Sequence, residues 1–447
     1  MQLSNWGQYP KVNTTLHHIR TDEHACHLLS LNASLIARGL GRCYGDSALN
    51  DQAVLSSIYC DHLIDFNPAT GVLVCEAGIS LAMLLRIFVP RGWFLPVTPG
   101  TKLVTVGGAV ASDVHGKNHH VAGTFCRHVL WLELLSSEEN ILRCSTTENP
   151  DLFQSTCGGQ GLTGIILRVA FRLVPISTVY IRQETIKTRN LEEIMDCFEH
   201  SANWHYSVAW IDCLQTGTGL GRSIMIRGEH ANIEDIDTIK ACVPLIAPEK
   251  FSLAVPINLP RFTLNIWSAK AFNAIYYGHH AEGTTNQIVD LDSFFYPLDA
   301  IQEWNRIYGK RGFLQYQCVI PRAAAQEGLT HILNRIARSG MGSFLAVLKL
   351  FGLQEENGGI LSFPMEGYTL ALDFPVTPQA FSLLNELDAM VLDYGGRLYL
   401  AKDARMSCAT FERGYATAID RFRKIKTTCD PNHRFISLQS KRLGIGG

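Results

Sequence analysis

The sequence has little of what marks a secreted, membrane-spanning or nucleic-acid-binding chain. Charged residues make up 18% of its 447 positions and the net charge is −2. Lys and Arg are scattered, with no basic block to neutralise a run of phosphates, which argues against a nucleic-acid partner. No apolar run reaches the roughly 20 residues needed to cross a bilayer, and the opening MQLSNWGQYP lacks the basic-then-apolar order of a secretory signal. The 13 cysteines include no Cys-x-x-Cys pair and no Cys/His group at zinc spacing. An odd, scattered set reads as reduced thiols in a reducing compartment, and the expectation is a cytoplasmic protein, at most peripheral to a membrane. His119 and His120 are adjacent, and neighbouring side chains rarely converge on one ion, so no metal site is expected.

What the sequence does have is a core. Apolar residues are 47% of the chain, and a length of 447 residues points to more than one domain. Up to about residue 178, short β-like runs such as SLIARG, GVLVCEAG and GIILRVAFRLVP alternate with glycine-rich turns. One helix is signalled at SLAMLLRIFVPRGW, with Ser80 as cap and Pro90 and Gly92 as the stop. From 179 to 396, helical patterns (NLEEIMDCFEHSA, LTHILNRIARSG) alternate with strands (FLQYQCVIP, SFLAVLKLFG, YTLALDFP), the texture of an α+β unit on an antiparallel sheet. From 397 to 447 the pattern is a strand RLYLA, a helix at about 409–426 and a polar tail that can return to the first unit. The apolar stretch 243–260 is expected in the core, with a lid over the substrate as the other reading.

Three glycine-rich stretches, each beside a strand, carry the chemistry. Arg38-Gly-Leu-Gly-Arg-Cys-Tyr-Gly-Asp-Ser47 is not a dinucleotide fingerprint of the Rossmann kind, because Gly39, Gly41 and Gly45 have the wrong third spacing and no amphipathic helix follows. Thr105-Val-Gly-Gly-Ala109, preceded by Gly100 and followed by Ser112-Asp-Val-His115, suits a pyrophosphate held by main-chain amides. Gly158-Gly-Gln-Gly-Leu-Thr-Gly-Ile-Ile166 is the third. On the sheet, Gln315 and Gln317 alternate with Leu314, Tyr316 and Cys318, so both amides lie on one face. Lys349 sits in an apolar strand, where a lysine needs a partner or a watery pocket.

GLGRCYGDS, TPGTKLVTVGGAVASDVHGKNHH, GGQGLTGII, FLQYQCVIP and RLYLAKDAR, in that order from about residue 30 to the C-terminus, resemble the decaprenylphosphoryl-β-D-ribose 2-oxidases. These belong to the vanillyl-alcohol-oxidase flavoproteins, as do the aldonolactone and alditol oxidases. The resemblance implies a two-domain α+β fold of the PCMH type. In it residues 1–178 and 397–447 form the FAD domain, and 179–396 are an inserted antiparallel-sheet substrate domain. It lays FAD along Arg38, Gly39, Leu40, Gly41, Arg42, Cys43, Tyr44, Gly45, Asp46 and Ser47. The site continues through Gly100, Thr105, Val106, Gly107, Gly108, Ser112, Asp113, Val114 and His115, with Ile166 and Tyr399 completing it. Many relatives attach flavin covalently through a histidine; Tyr44 takes that place here, so the resemblance implies non-covalent FAD.

Lys402 is the catalytic candidate, beside Tyr44 and His115. Trp210, Gln315, Gln317, Lys349 and Lys402 are the substrate contacts. The implied reaction is oxidation of a secondary alcohol to a ketone on a sugar, most closely the ribosyl 2-hydroxyl of a polyprenylphosphoryl ribose. Hydride passes to flavin N5, and a partner reductase completes an epimerisation to arabinose. The best-known members carry cysteine at Ala371 and asparagine at Thr369, which puts the exact substrate in doubt. In related lactone oxidases a small residue stands where this chain has Val114, which favours a quinone-type acceptor over oxygen. An aldonolactone or alditol oxidase acting on a small soluble polyol, and a non-catalytic flavin-binding scaffold, are the alternatives.

Overall fold

The computed structural model describes residues 1–248, 250, 253–260, 265–343, 345–353 and 358–446. Near the N-terminus, the strands Thr15–His18, Ala53–Ser56 and Leu35–Arg38 form a parallel sheet with Ala53–Ser56 in the middle. A five-stranded antiparallel sheet follows, ordered Ile141–Ser145, Val129–Leu135, Ile165–Arg172, Val72–Glu76 and Leu63–Asn67. The helix Leu81–Phe88 packs Leu81, Leu84, Leu85 and Phe88 inward. Ser80 caps it, accepting from the Met83 amide at 3.1 Å, as the sequence suggests.

The third sheet has eight antiparallel strands, and its centre runs Tyr206–Ile211, Ala346–Phe351, Gly367–Pro375, Phe313–Pro321. Helices Leu191–Glu199, Ala325–Ser339 and Pro378–Asp393 cover one face and share its core. The other face is left for the site. An α+β architecture is therefore present, with the large antiparallel sheet following the glycine-rich part in sequence.

The C-terminal segment departs from expectation in detail. The strand expected at RLYLA is only Arg397–Leu398, which pairs with Cys318 and Val319 at the edge of the large sheet. Residues Leu400–Lys402 turn away in a single 3-10 turn, because the chain must leave the sheet plane to meet the first glycine loop. The helix expected at 409–426 is two, Cys408–Gly414 and Ala416–Cys429, broken at Tyr415, whose hydroxyl donates to the Leu398 carbonyl at 2.8 Å.

The tail then returns to the N-terminal sheet. The Leu35 amide donates to the Arg434 carbonyl and the Ile436 amide to the Leu35 carbonyl. Arg442 reaches Asp46 and Asp403, both at 2.8 Å.

The stretch 243–260 is not core. Val243, Ile246, Leu253 and Ile257 are all exposed, while residues 249, 251 and 252 lie outside the described residues. Of the stretch, Leu245 alone among the described residues packs against a core cluster, and the backbone at 253–256 is tied instead to Ile301–Gln302 and Arg306.

Candidate active site between the glycine loops and the large sheet

The first glycine loop is gripped from both ends of the chain. The Trp6 amide donates to the Cys43 carbonyl at 3.0 Å, and the Tyr44 amide to the Ala401 carbonyl at 3.0 Å. Asn5 Nδ2 donates to the Gly45 carbonyl at 2.7 Å. A Cβ on Gly45 would stand 1.8 Å from the Asp403 carbonyl oxygen, so only glycine admits this approach. The Arg38 guanidinium donates to Asn5, to the Ser4 carbonyl at 2.9 Å and to the Ala48 carbonyl at 3.3 Å. Gly41, at φ +63°, lies directly over that guanidinium. This arginine therefore builds the loop.

Against the loop, the structure encloses a cavity of about 1,210 Å³, above the roughly 300–1,000 Å³ of an ordinary small-molecule pocket. Its glycine-rich side is formed by Arg38 to Tyr44, Ser47, Gly100, Thr105, Gly107, Gly108 and Ser112, with Val114, His115, Ile166 and Tyr399. Its sheet side is formed by Trp210, Gln315, Gln317, Lys349 and Ala371, with Lys402 at the junction.

Four of the residues named from sequence do not line it. Asp46 is an ion-pair partner of Arg442. Asp113 accepts from the Cys126 amide at 3.1 Å and from the Ser362 hydroxyl. Val106 is core, and Gly45 faces Asp403. These four shape the loops from behind.

The residues present fit a dinucleotide. Gly100 has open space where a side chain would be, and Gly108 has only the Thr105 hydroxyl at 3.0 Å, so ligand atoms can approach the backbone. The buried Arg42 Nε has no hydrogen-bond partner among the described residues, while its guanidinium lies 4.0 Å from the Trp6 ring centre. A desolvated cation with a spare donor suits an anionic group.

At the junction, Lys402 Nζ stands 3.9 Å from the centre of the Tyr44 ring. Burial brings this lysine down to about 7, against an upward pull from Asp373 and a further downward push from Lys349. Asp373 is pushed up to about 7 by burial, with Gln315 and Lys402 favouring its charged form. Gln315 Nε2 donates to Asp373 Oδ1 at 2.8 Å, and Asp373 Oδ2 has no partner among the described residues. Burial raises the Tyr44 phenol well above the ordinary tyrosine range. His115 is held well below its usual range by burial, reinforced by Lys349, His119 and Lys402, so its imidazole is neutral. Gln317 Nε2 bridges His115 Nε2 and Thr369 Oγ1, both at 3.1 Å, and Tyr399 donates to the Ser112 carbonyl at 2.8 Å. Lys349 is lowered to about 8 by burial.

Sequence reasoning missed several participants. Lys117 lines the cavity and is lowered to about 7 by burial and Lys349; its place two residues after His115 was the available signal. Trp6 has no local motif, and Trp304 and Tyr276 lie in segments without a glycine-rich loop. Asp373 is marked only by the alternation of YTLALDFP, which sets it on the face of Thr369 and Ala371. His119 packs on Phe351 at 4.4 Å, and His120 Nε2 contacts the Trp204 carbonyl at 2.8 Å.

The glycine-rich part matches a known family model: residues 25–145 correspond to an FAD binding domain. With the fold and this site, the match defines an FAD-dependent oxidoreductase acting on a CH–OH group. Across 422 residues the chain is 40% identical to decaprenylphosphoryl-beta-D-ribose oxidase of Mycolicibacterium smegmatis, covering 92% of this chain and 89% of that one. The chain belongs to the decaprenylphosphoryl-β-D-ribose oxidase family. Two further likenesses cover about a third of the chain. Bovine mitochondrial D-2-hydroxyglutarate dehydrogenase is 29% identical over 156 residues, which is 34% of this chain and 29% of that one. Rat delta(24)-sterol reductase is 25% identical over 140 residues, 31% of this chain and 27% of that one.

Proposed function

We propose that this enzyme oxidises the ribosyl 2-hydroxyl of a polyprenylphosphoryl ribose to a ketone, the first half of an epimerisation to the arabinose. The observation that carries this is the convergence of Lys402, Gln317 and Lys349 from two sheet strands and the C-terminal turn onto one cavity edged by the glycine loops. When bound, FAD supplies the hydride acceptor, its N5.

The chain's own groups do the rest. Gln317, fixed by Thr369 and His115, leaves its carbonyl oxygen to accept from a sugar hydroxyl. Lys349 offers a cation for the phosphate of the substrate. Lys402, held near neutrality by burial, places its ammonium where negative charge develops during hydride transfer, and in a desolvated site that charge counts for more than in water. The neutral His115 and the raised phenol of Tyr44 add polarity without a competing charge.

FAD is held without a covalent bond, since Tyr44 offers a phenol where many members of the wider flavoprotein superfamily use imidazole. Val114, branched and 8% exposed beside His115, supports a quinone-type acceptor over oxygen, and a separate reductase consumes the ketone. No described helix is long and apolar enough to cross a membrane; a lipid-linked substrate brings the enzyme to the membrane surface peripherally.

The test is anaerobic mixing of the FAD-loaded enzyme with prenylphosphoryl ribose and, separately, with small alditols and aldonolactones. Bleaching of the flavin band by the ribosyl lipid alone is expected. Bleaching by the polyols alone would give the site to a soluble-polyol oxidase, and bleaching by none would leave a flavin-binding scaffold.

A further inference from the structure

The helix Ile266–His279 stands over the sheet side of the cavity and divides its faces unusually. Asn265 caps it, accepting from the amides of Trp267 at 2.8 Å and Ser268 at 3.1 Å. One face is pinned to the large sheet. Asn273, 1% exposed, donates to Asp212 Oδ1 at 2.7 Å, and Tyr277 donates to the Thr188 carbonyl at 3.1 Å. Asp212 is held independently by Arg222, at 3.0 and 2.8 Å, and by the Leu214 amide at 3.0 Å.

The next face, Phe272 and Tyr276, lines the cavity. Their rings are stacked, with centroids 5.9 Å apart and planes 15° from parallel, and Tyr276 lies 4.8 Å from Trp210. Trp210 pairs in register with Val347. Val347 shares its side of the strand with Lys349 two residues on, and both line the cavity.

The cavity wall therefore runs in a fixed order: a cation at Lys349, then Val347, Trp210, Tyr276 and Phe272, the last 44% exposed. A sugar phosphate ester of a lipid has the same order of chemistry, with its anion at the inner end and hydrocarbon leading outward. A small polyol has nothing to place along the four apolar side chains.

We propose that Phe272 and Tyr276 are specificity-determining residues that receive the first isoprene units of the lipid-linked substrate. Asn273 is the positioning residue that holds them there through Asp212. This rests on the substrate reading above and adds to it the place of the lipid chain. The aromatic pair recognises hydrocarbon by area and shape, while the pin spares the helix from being ordered at each binding event.

The experiment compares two soluble probes, farnesylphosphoryl ribose and methylphosphoryl ribose, on the FAD-loaded enzyme and on Phe272→Ala, Tyr276→Ala and Asn273→Ala. The wild type should prefer the farnesyl ester in kcat/KM. Each aromatic variant should lower that preference about 10- to 100-fold, mostly through KM for the farnesyl ester, the scale on which apolar contacts discriminate. Asn273→Ala should lower it in the same direction with the flavin spectrum and the kcat for the methyl ester retained and only a modest drop in Tm, because Arg222 and the Leu214 amide still hold Asp212. Equal losses on both esters, or an unaltered preference, would overturn the proposal while leaving the substrate reading intact. A wild type that oxidises neither ester would overturn both.

Discussion

Lys402 Nζ lies 3.9 Å from the centre of the Tyr44 ring, a lysine of the C-terminal turn over a tyrosine of the first glycine loop. The pair joins the two ends of the chain at the cavity. A cation over an aromatic face gains on the order of 1–2 kcal/mol when desolvated, and this contact partly offsets the cost of burying the ammonium.

Burial lowers Lys402 to about 7, so its charge changes near neutral pH. The ammonium form acts in the proposed reaction; it is full below that value and is lost as pH rises through it. The rate of flavin reduction should fall on the alkaline side, and Lys402→Ala should remove turnover while FAD still binds. Rapid-mixing measurements across pH check this. A reduction rate that climbs through neutrality would show that the free amine is the working form.

Flavin should leave the protein on acid precipitation and appear in the supernatant as FAD. The phenol of Tyr44 is buried and raised, and its ring is covered by Lys402 and meets Phe313 edge-on at 5.4 Å. Colour retained in the pellet would reveal a covalent link elsewhere.

Ala371 lines the cavity opposite Gln317 and Val347 in the sheet register. Ala371→Cys should gain covalent labelling at position 371 by electrophiles that occupy the cavity, read by peptide mass spectrometry against the unlabelled parent. Absence of labelling there would mean that the side chain at 371 does not reach the bound compound.

Arg442 is shared by Asp46 and Asp403, both nearly buried. Arg442→Met should remove the shared cation from both carboxylates, leaving Asp403 only the Arg405 and Met406 amides. It should cost about 3 kcal/mol, the lower end of the scale for breaking a buried pair, read as a drop in the denaturant midpoint. FAD affinity should fall with it, because Asp46 and Asp403 back the first glycine loop. A midpoint equal to that of the parent would show that the tail is held by its backbone pairing at Leu35 instead.

Much of this site was legible in the sequence because it is written locally. Glycines at 39, 41, 107 and 108 mark close backbone approaches. Alternation along FLQYQCVIP puts Gln315 and Gln317 on one face, and both do line the cavity. Family motifs added Lys402 and Tyr399. Local patterns say nothing about partners hundreds of residues away, and there the expectations were incomplete. Asn5 and Trp6 grip the first loop, and nothing in their neighbourhood announces it. Arg38 was expected along the FAD, and it does line the cavity, but its guanidinium is spent on Asn5, Ser4 and Ala48. The strand after Gly396 stops at Leu398 because the chain must turn to reach the loop.

The sequence by itself determined the strands, the glycine turns and the kinds of side chain available for chemistry, since periodicity and backbone freedom are properties of neighbouring residues. Only the tertiary structure decided which of those side chains share one desolvated cavity. Folding brought Lys402, Asp373 and Lys349 out of water together, and the loss of solvation set their charges. It also laid Phe272 and Tyr276 beside Trp210, because a buried Asn273 had to find Asp212.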